Sequence, residues 1–311
     1  SSMVQQIISD KEGLDSRKTL YYEETKNQDK IVMPNIPPFK AISLVAKRAL
    51  PKQGQSVGYY FYETTKGFYF QSWENMCANG TQTRDPIQTY YYQPRNITDP
   101  ALEERDNDSG DKILQDLRSV ETYRFVNNFH DTAAAQALGT YGHRVISYNL
   151  YNKSFTPVDY NYHKQFDQTV HADYTDDAGL SGTNPQVRDN PVDFDNNNVS
   201  DYAESMVSLS PTTQFLHDEA TGGYGTDVQD DGKFEGIRNS QRMQINAGTT
   251  IEMTVPGQTN IQPGHVINFQ LRPVEPEGLT FAEKKNYDPQ YSGRYIITKV
   301  RHRVTKQDYK M

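Results

Sequence analysis

Between residues 193 and 204, five oxygen-bearing side chains are spaced as a calcium loop spaces its ligands. Asp193, Asp195, Asn197, Asp201 and Glu204 fall at positions 1, 3, 5, 9 and 12 of such a loop. Hard oxygen donors at alternate positions, closed by a carboxylate, would wrap a hard cation. Two features weigh against it. Asn198 stands where the loop wants glycine for its turn, although Asn also tolerates the left-handed conformation. Pro185 and Pro191 precede the run, so no helix leads into it. A solvated acidic loop is the plainer reading.

Other residues have the right types but not the right spacing. Ser119, His130 and Asp131 could be imagined as a nucleophilic triad, yet closeness in sequence supplies no geometry. Asp131 reads better as the N-cap of a helix. His163, His171 and His217 sit in polar stretches without ligand spacing. Glu103-Glu104 and Asp176-Asp177 could supply the two carboxyls of glycoside hydrolysis. Sequence neighbours point apart, however, and that chemistry needs a separation of about 5–10 Å. The aromatic runs 59–62 and 90–92 would suit sugar stacking; a sheet face plus a subunit interface is the simpler assignment. Arg301, Arg303, Lys306 and Lys310 form a basic tail that alternates with apolar residues, which suits a solvated or salt-bridging face. No phosphate-binding loop, dinucleotide fingerprint, nucleophile elbow or metalloprotease helix occurs. The chain therefore reads as a non-enzyme, with no catalytic, cofactor-binding or metal residue assigned.

Composition narrows the classes further. The chain has 311 residues, and only 35% of them are hydrophobic. Soluble domains sit nearer 45–50% on a similar count that includes Gly. Mean hydropathy is −0.84. Its 22 Tyr and 13 Phe argue against simple disorder. No apolar run is long enough for a membrane helix. The single Cys77 excludes a disulfide scaffold and a Cys-rich zinc site. A net charge of −8 disfavours a binder held by nucleic-acid phosphates. No signal peptide is evident, and the chain opens Ser1-Ser2-Met3, which points to a segment upstream.

The elements that must carry these residues read as follows. Ser2 N-caps a short helix with Met3, Ile7 and Ile8. Pro37-Pro38 open a second helix carrying Ile42, Val45, Ala46, Ala49 and Leu50, stopped by Pro51. Two aromatic runs, Gly58–Tyr62 and Phe68–Trp73, flank a turn ending at Gly67 and make a hairpin. A polar connector follows, with one extended piece at Gln88–Tyr92. Ile113, Leu114, Leu117 and Val120 suggest a short helix, and a second runs from Asp131 to Gly139. His143–Phe155 is extended, with Ile146, Tyr148 and Leu150 on one face; Tyr160 and Tyr162 continue the aromatic alternation. A helix over about 233–246 carries Phe234, Ile237, Met243 and Ile245. Ile251, Met253 and Val255 mark a half-buried strand, and Pro256-Gly257 and Pro263-Gly264 mark turns. His265–Leu271 alternates again, with Ile267, Phe269 and Leu271 on one face. A closing strand has Ile296, Thr298, Val300, His302 and Val304 on one face. With a strand from earlier in the chain, these could close a small barrel.

The order of these pieces resembles a known family. Residues 250–257 (Thr-Ile-Glu-Met-Thr-Val-Pro-Gly), 261–269 (Ile-Gln-Pro-Gly-His-Val-Ile-Asn-Phe) and 292–302 (Ser-Gly-Arg-Tyr-Ile-Ile-Thr-Lys-Val-Arg-His) look like the closing barrel of the baseplate central hub proteins of contractile-tailed bacteriophages. Pro34-Asn35, Pro38-Phe39, the hairpin at 58–63, and Gly139–His143 leading into Tyr148-Asn149 fit the same family. The resemblance implies an α+β fold, mainly antiparallel, with a tail-tube-like β-barrel, an α/β domain and a loop-rich insertion. It divides the chain into an α/β hub domain at 1–82, a connector and first barrel part at 83–165, a polar inserted subdomain at 166–232, and the second barrel part at 233–311. Family members carry two such barrels; this chain holds the second, and the first would lie upstream of Ser1.

The function so implied is structural: a homotrimer joining the six-fold tail tube to the three-fold central spike in the virion baseplate. Partners would be the tube, spike and wedge proteins, with the tape measure protein as a further neighbour, and without membrane or specific nucleic-acid binding. The competing class is a glycan-binding or glycan-hydrolysing tail protein, which requires two carboxylates and an aromatic facing one cleft. The same hub in a non-phage contractile injection system is the third reading.

Overall fold

The computed structural model describes residues 1–25, 31–52, 58–82, 87–92, 117–127, 131–149, 153–166, 192–211, 237–238, 249–271, 288 and 291–311. In chain order they form α1 (Ser2–Ser9), β1 (Leu20–Tyr22), α2 (Pro38–Arg48), β2 (Tyr59–Glu63), β3 (Phe68–Ser72) and α3 (Trp73–Gln82). Next come β4 (Thr89–Tyr92), β5 (Ser119–Val120), β6 (Thr122–Asn127), α4 (Thr132–Ala137), β7 (Gly142–Asn149), β8 (Ser154–Asn161) and α5 (Tyr162–Phe166). Two 3-10 turns, Val199–Asp201 and Ala203–Ser205, lead to β9 (Val207–Pro211). The last strands are β10 (Thr250–Thr254), β11 (Val266–Gln270), β12 (Gly293–Ile296), β13 (Arg303–Val304) and β14 (Tyr309–Lys310). The fold is thus mixed α/β, with many strands in small sheets and few helices. The chain divides into two compact units: Ser1–Asn75 with Phe129–Val170 and Asp189–Gly248, and Met76–Asn128 with His171–Arg188 and Thr249–Met311.

In the first unit, α2 starts where a proline is cheapest. Pro38 takes the first helical position, whose N–H the helix does not use. Lys47 and Arg48 in the last turn complement the helix dipole. The buried stripe Ala41, Ile42 and Val45 faces Val4 and Ile8 of α1 and the aromatic face of the hairpin. The hairpin pairs in the register Tyr59↔Ser72 to Glu63↔Phe68, and β1 adds to β3 in parallel. Tyr59, Phe68 and Phe70 turn inward to this core, with Phe61 and Leu20 partly buried against it. The N-cap of α1 is Ser1 rather than Ser2; Val4 and Ile8 are its buried residues, and Met3 and Ile7 pack against the same core partly buried.

The second sheet of this unit has the order β8-β7-β9. His143–Phe155 is therefore not one extended stretch but most of a hairpin, turning near Lys153 (φ 54°). Ile146 and Tyr148 share one face as expected, Leu150 lies outside the described residues, and the opposite face is the more covered one. His143, Val145 and Ser147 are buried, while Ile146 and Tyr148 are only half-buried. Alternation defines two sets of side chains; which set is covered depends on what packs there. The 166–232 region, expected as loops, contributes β9, which pairs in parallel with β7.

In the second unit, β12-β11-β4-β5 form one sheet and β10-β6 another. Both line a single core. Tyr90, Val120, Ile267, Phe269 and Leu271 come from the first, and Ile251, Met253, Tyr123 and Phe125 from the second. Ile267, Phe269 and Leu271, expected on one face, are all buried in this core, and Val266 is buried as well. Of the short helix expected through Ile113, Leu114, Leu117 and Val120, the first two lie outside the described residues, Leu117 is helical, and Val120 lies in a strand. Pro256-Gly257 is not a turn: Pro256 bridges Lys310, and the Gly257 N–H donates to Tyr309 O at 2.8 Å. The closing strand is shorter than expected. β12 ends at Ile296, Tyr295 and Ile297 lean on the core, and Val304 is 74% exposed.

Among the described residues antiparallel strand pairs outnumber parallel ones, as expected, but every sheet of three or more strands also contains a parallel pair. Long connections permit this, because parallel neighbours need a crossover rather than a tight turn. Among the described residues no sheet closes on itself; β10 pairs with β6 and not with β11. Of the expected helix over 233–246, only Ile237 and Arg238 lie within the described residues; both are helical and Ile237 is buried.

Candidate functional site

The sheet β8-β7-β9 presents an open apolar face. Its register places Ile146 beside Pro157 and Leu209, and Tyr148 beside Phe155 and Pro211. Residues in register share a face of the sheet. Phe155 is 62% exposed, Val207 53% and Leu209 67%. The Tyr148 and Phe155 rings stack at 4.6 Å. An isolated exposed apolar side chain needs no explanation, but a contiguous cluster marks a surface that another molecule covers. The face carries an ion cluster at one end. Arg144 donates two hydrogen bonds to Asp159, at 2.6 and 2.7 Å, and a third to Glu204 at 2.8 Å. The guanidinium holds the Asp159 carboxyl below its usual range. This forked geometry fixes Arg144 flat at the border of the apolar patch.

Behind that face, β7 buries His143, whose Nε2 lies 2.9 Å from Ser208 Oγ. Ser147 Oγ is buried and makes no hydrogen bond. These polar groups replace the aliphatic residues that alternation would assign to a covered face.

A second aromatic surface lies on the sheet β1-β3-β2, opposite its helices. Tyr21, Tyr69 and Tyr62 form a ladder across the three strands, with centroids 4.9 and 5.3 Å apart and planes within 22° and 6° of parallel. Tyr60 meets Trp73 edge-on, and Gln71 donates to the Tyr62 hydroxyl. Burial pushes the Tyr62 phenol up to about 12. Stacked rings turn their flat faces to each other and leave edges and hydroxyls outward. A sugar platform needs free ring faces, so the middle of this ladder does not serve as one. Glu23 and Glu74 feel each other's charge near this sheet, but Glu23 Oε2 accepts the Ser72 N–H at 2.7 Å, at the start of α3. Burial raises the Glu23 carboxyl.

The acidic run 193–204 does not converge. Asp193 Oδ1 accepts the N–H groups of Asp195 (2.9 Å) and Asn197 (2.8 Å), and Oδ2 accepts the Tyr202 hydroxyl at 2.6 Å. These bonds, that from Tyr202 first, hold the Asp193 carboxyl below its usual range. Asp201 accepts from Asn161 at 2.9 Å, and Glu204 is spent on Arg144. The left-handed residue is Asn196 (φ 64°), not Asn198. Among the described residues no three or more His, Cys, Asp or Glu side chains gather as a metal site.

The remaining candidates scatter. Ser119 lies in β5, and Asp131 caps α4 by accepting the Ala134 N–H at 2.9 Å. His163 is exposed on α5. His130, His171, His217, Glu103, Glu104, Asp176 and Asp177 lie outside the described residues. Tyr90 is a core residue, and Tyr92 packs edge-on against Tyr123 at 4.6 Å. Arg301, Arg303 and Lys306 are exposed, while Lys310 pairs with Glu121 at 2.6 Å. The sequence does not point to the patch on β8-β7-β9, because Val207 and Leu209 lie in a polar stretch that reads as loop-rich. Their alternation with Ser208 and Ser210 was the available signal.

No helix among the described residues is long and apolar enough to cross a membrane. The chain matches no protein-family model, and no curated protein matches it.

Proposed function

We propose that this chain is a structural virion protein, the central hub of a contractile-tail baseplate, acting as a ring of three copies between the tail tube and the central spike. The observation that carries the reading is the open apolar face of Phe155, Pro157, Val207 and Leu209. A chain with only 35% hydrophobic residues that still leaves such a face uncovered suits burial between copies. The order of sequence pieces that resembles the hub family supplies the rest.

The mechanism is geometric. The ring matches symmetries and holds a channel, and no chemical step is involved. Strands β10, β11 and β12 form the tube wall, and the barrel is completed on assembly. The 1–75 segment widens the hub toward the spike and wedge proteins. A net charge of −8 suits an acidic lumen that DNA slides past without sticking. The protein works in the virion tail and assembles in the host cytoplasm.

Native mass measurement in solution and a symmetric cryo-reconstruction of the particle test this. Three copies per ring, with the β8-β7-β9 face covered, is the expected result. A stable monomer, or a ring with a basic lumen, sinks the reading.

A further inference from the structure

In the second unit a cavity of about 390 Å³ opens beside the end of the four-stranded sheet. Gln88, Leu117, Arg118, Gln258, Asn260 and Tyr309 line it. Its electrostatics are unusual for this protein. The chain carries 40 Asp and Glu against 32 Lys and Arg, so half-buried cations have carboxylates close by. Arg144 holds Asp159 and Glu204, and Lys310 holds Glu121 and Asp308. Arg118 is also half-buried, yet no carboxylate among the described residues pairs with it.

The surroundings hold Arg118 in place without neutralising it. Gln258 Nε2 donates to the Leu117 carbonyl at 2.8 Å and so pins the backbone next to Arg118. The Tyr90 hydroxyl donates to Gln88 Oε1 at 3.0 Å, which leaves the Gln88 amide N–H groups as donors at the cavity. Burial pushes the Tyr90 phenol up, while the Arg118 charge pulls it down. Asn260 stands exposed at the rim. The Leu117 side chain and the Tyr309 ring add apolar wall.

We propose that this cavity binds a carboxylate, with the Arg118 guanidinium gripping its two oxygens and the Gln88 and Asn260 amides donating beside it. A planar fork of N–H donors matches a carboxylate in two parallel bonds. The volume lies near the low end of small-ligand pockets, about 300–1,000 Å³. The apolar wall suits a short methylene stem. One guanidinium offsets one negative charge, so the cavity holds a single carboxylate group, and a second one on the same ligand, as in glutarate, stays in solvent. The assignment does not depend on the hub reading.

Calorimetric and amide-NMR titration of the full chain tests it, using glutarate, an N-acetylglutamate amide with a free side chain, and inorganic phosphate. Saturable millimolar binding of either carboxylate is expected, with shifts at Gln88, Arg118, Gln258 and Asn260. Tighter binding of glutarate identifies a free diacid as the occupant. Tighter binding of the blocked glutamate identifies an acidic side chain of a partner. Arg118→Gln should weaken binding tenfold or more, roughly the loss of a charge-assisted pair, and Arg118→Lys should restore part of it. Asn260→Asp, at an exposed position, should repel the ligand without touching the fold, so it decides the matter even if Arg118→Gln does not fold. No saturation in the millimolar range, equal affinity in Asn260→Asp, or phosphate binding as tightly as glutarate overturns the proposal.

Discussion

Gly257 donates its N–H to the Tyr309 carbonyl at 2.8 Å, and the Tyr309 ring fills the space that a Cβ on residue 257 would need. The contact reaches the near atoms of the ring, which cannot swing away as the tip of a flexible chain would. Glycine is required here for close approach rather than for a turn. Gly257→Ala should destabilise the protein by about 1–3 kcal/mol in urea unfolding. Adding Tyr309→Ala should recover part of that loss, so the two substitutions should be non-additive. Additive costs would show that the ring is not the obstacle.

The open face makes the sharpest prediction about assembly. Leu209→Asp and Phe155→Asp place a charge on exposed positions of β9 and β8. Each should leave circular dichroism unchanged and shift the native mass from the assembled species to a single chain. Desolvating an unpaired carboxylate in a contact costs several kcal/mol, enough to break a ring held by modest interfaces. Unchanged mass in both variants would remove this face from the assembly.

Asp159 gives a pH-dependent readout. Arg144 holds its carboxyl below the usual value of 3.8, so its stabilising contribution is present above that value and is lost as pH falls through the folded-state pKa. Asp159→Asn should lower the melting temperature at pH 7. The gap should close at the acid end, below pH 3.8. The effect is small because the pair is partly exposed, with side-chain exposures of 30% and 48%.

Glu23 has the opposite sign. Burial raises its carboxyl above the usual 4.5, so the folded state favours the protonated form. That preference helps folding below 4.5 and is lost as pH rises, which leaves a burial penalty at pH 7. Glu23→Gln keeps an oxygen for the Ser72 N–H and removes the charge. It should raise the melting temperature at pH 7 by about 1–2 °C, and the gain should disappear in acid. A loss at pH 7 would mean that the ionised form is needed.

Short-range signals carried much of this fold. The aromatic runs around 63–67 were legible as a hairpin, because period-two alternation and the turn residues lie within one stretch of chain. Pro37-Pro38 and Pro51 bracketed α2, and Asp131 announced α4, because caps act on their own helix. That Ile267, Phe269 and Leu271 share one face was legible for the same reason. Strand partners were not. β4 pairs with β11 and β7 with β9 across long stretches of intervening sequence, and no local pattern names a partner that distant.

The choice of covered face also belonged to the tertiary structure. In β7 the apolar set Ile146 and Tyr148 faces the open side, and His143, Val145 and Ser147 go inward. Sequence by itself determined that the alternation exists and that the chain is acidic, aromatic-rich and short of aliphatics. Only the folded chain decided that Arg144 would meet Asp159 and Glu204 while Arg118 met no carboxylate among the described residues. The physical reason is range: propensity, capping and alternation act over a few residues, whereas burial and charge pairing depend on which distant segments arrive at the same place.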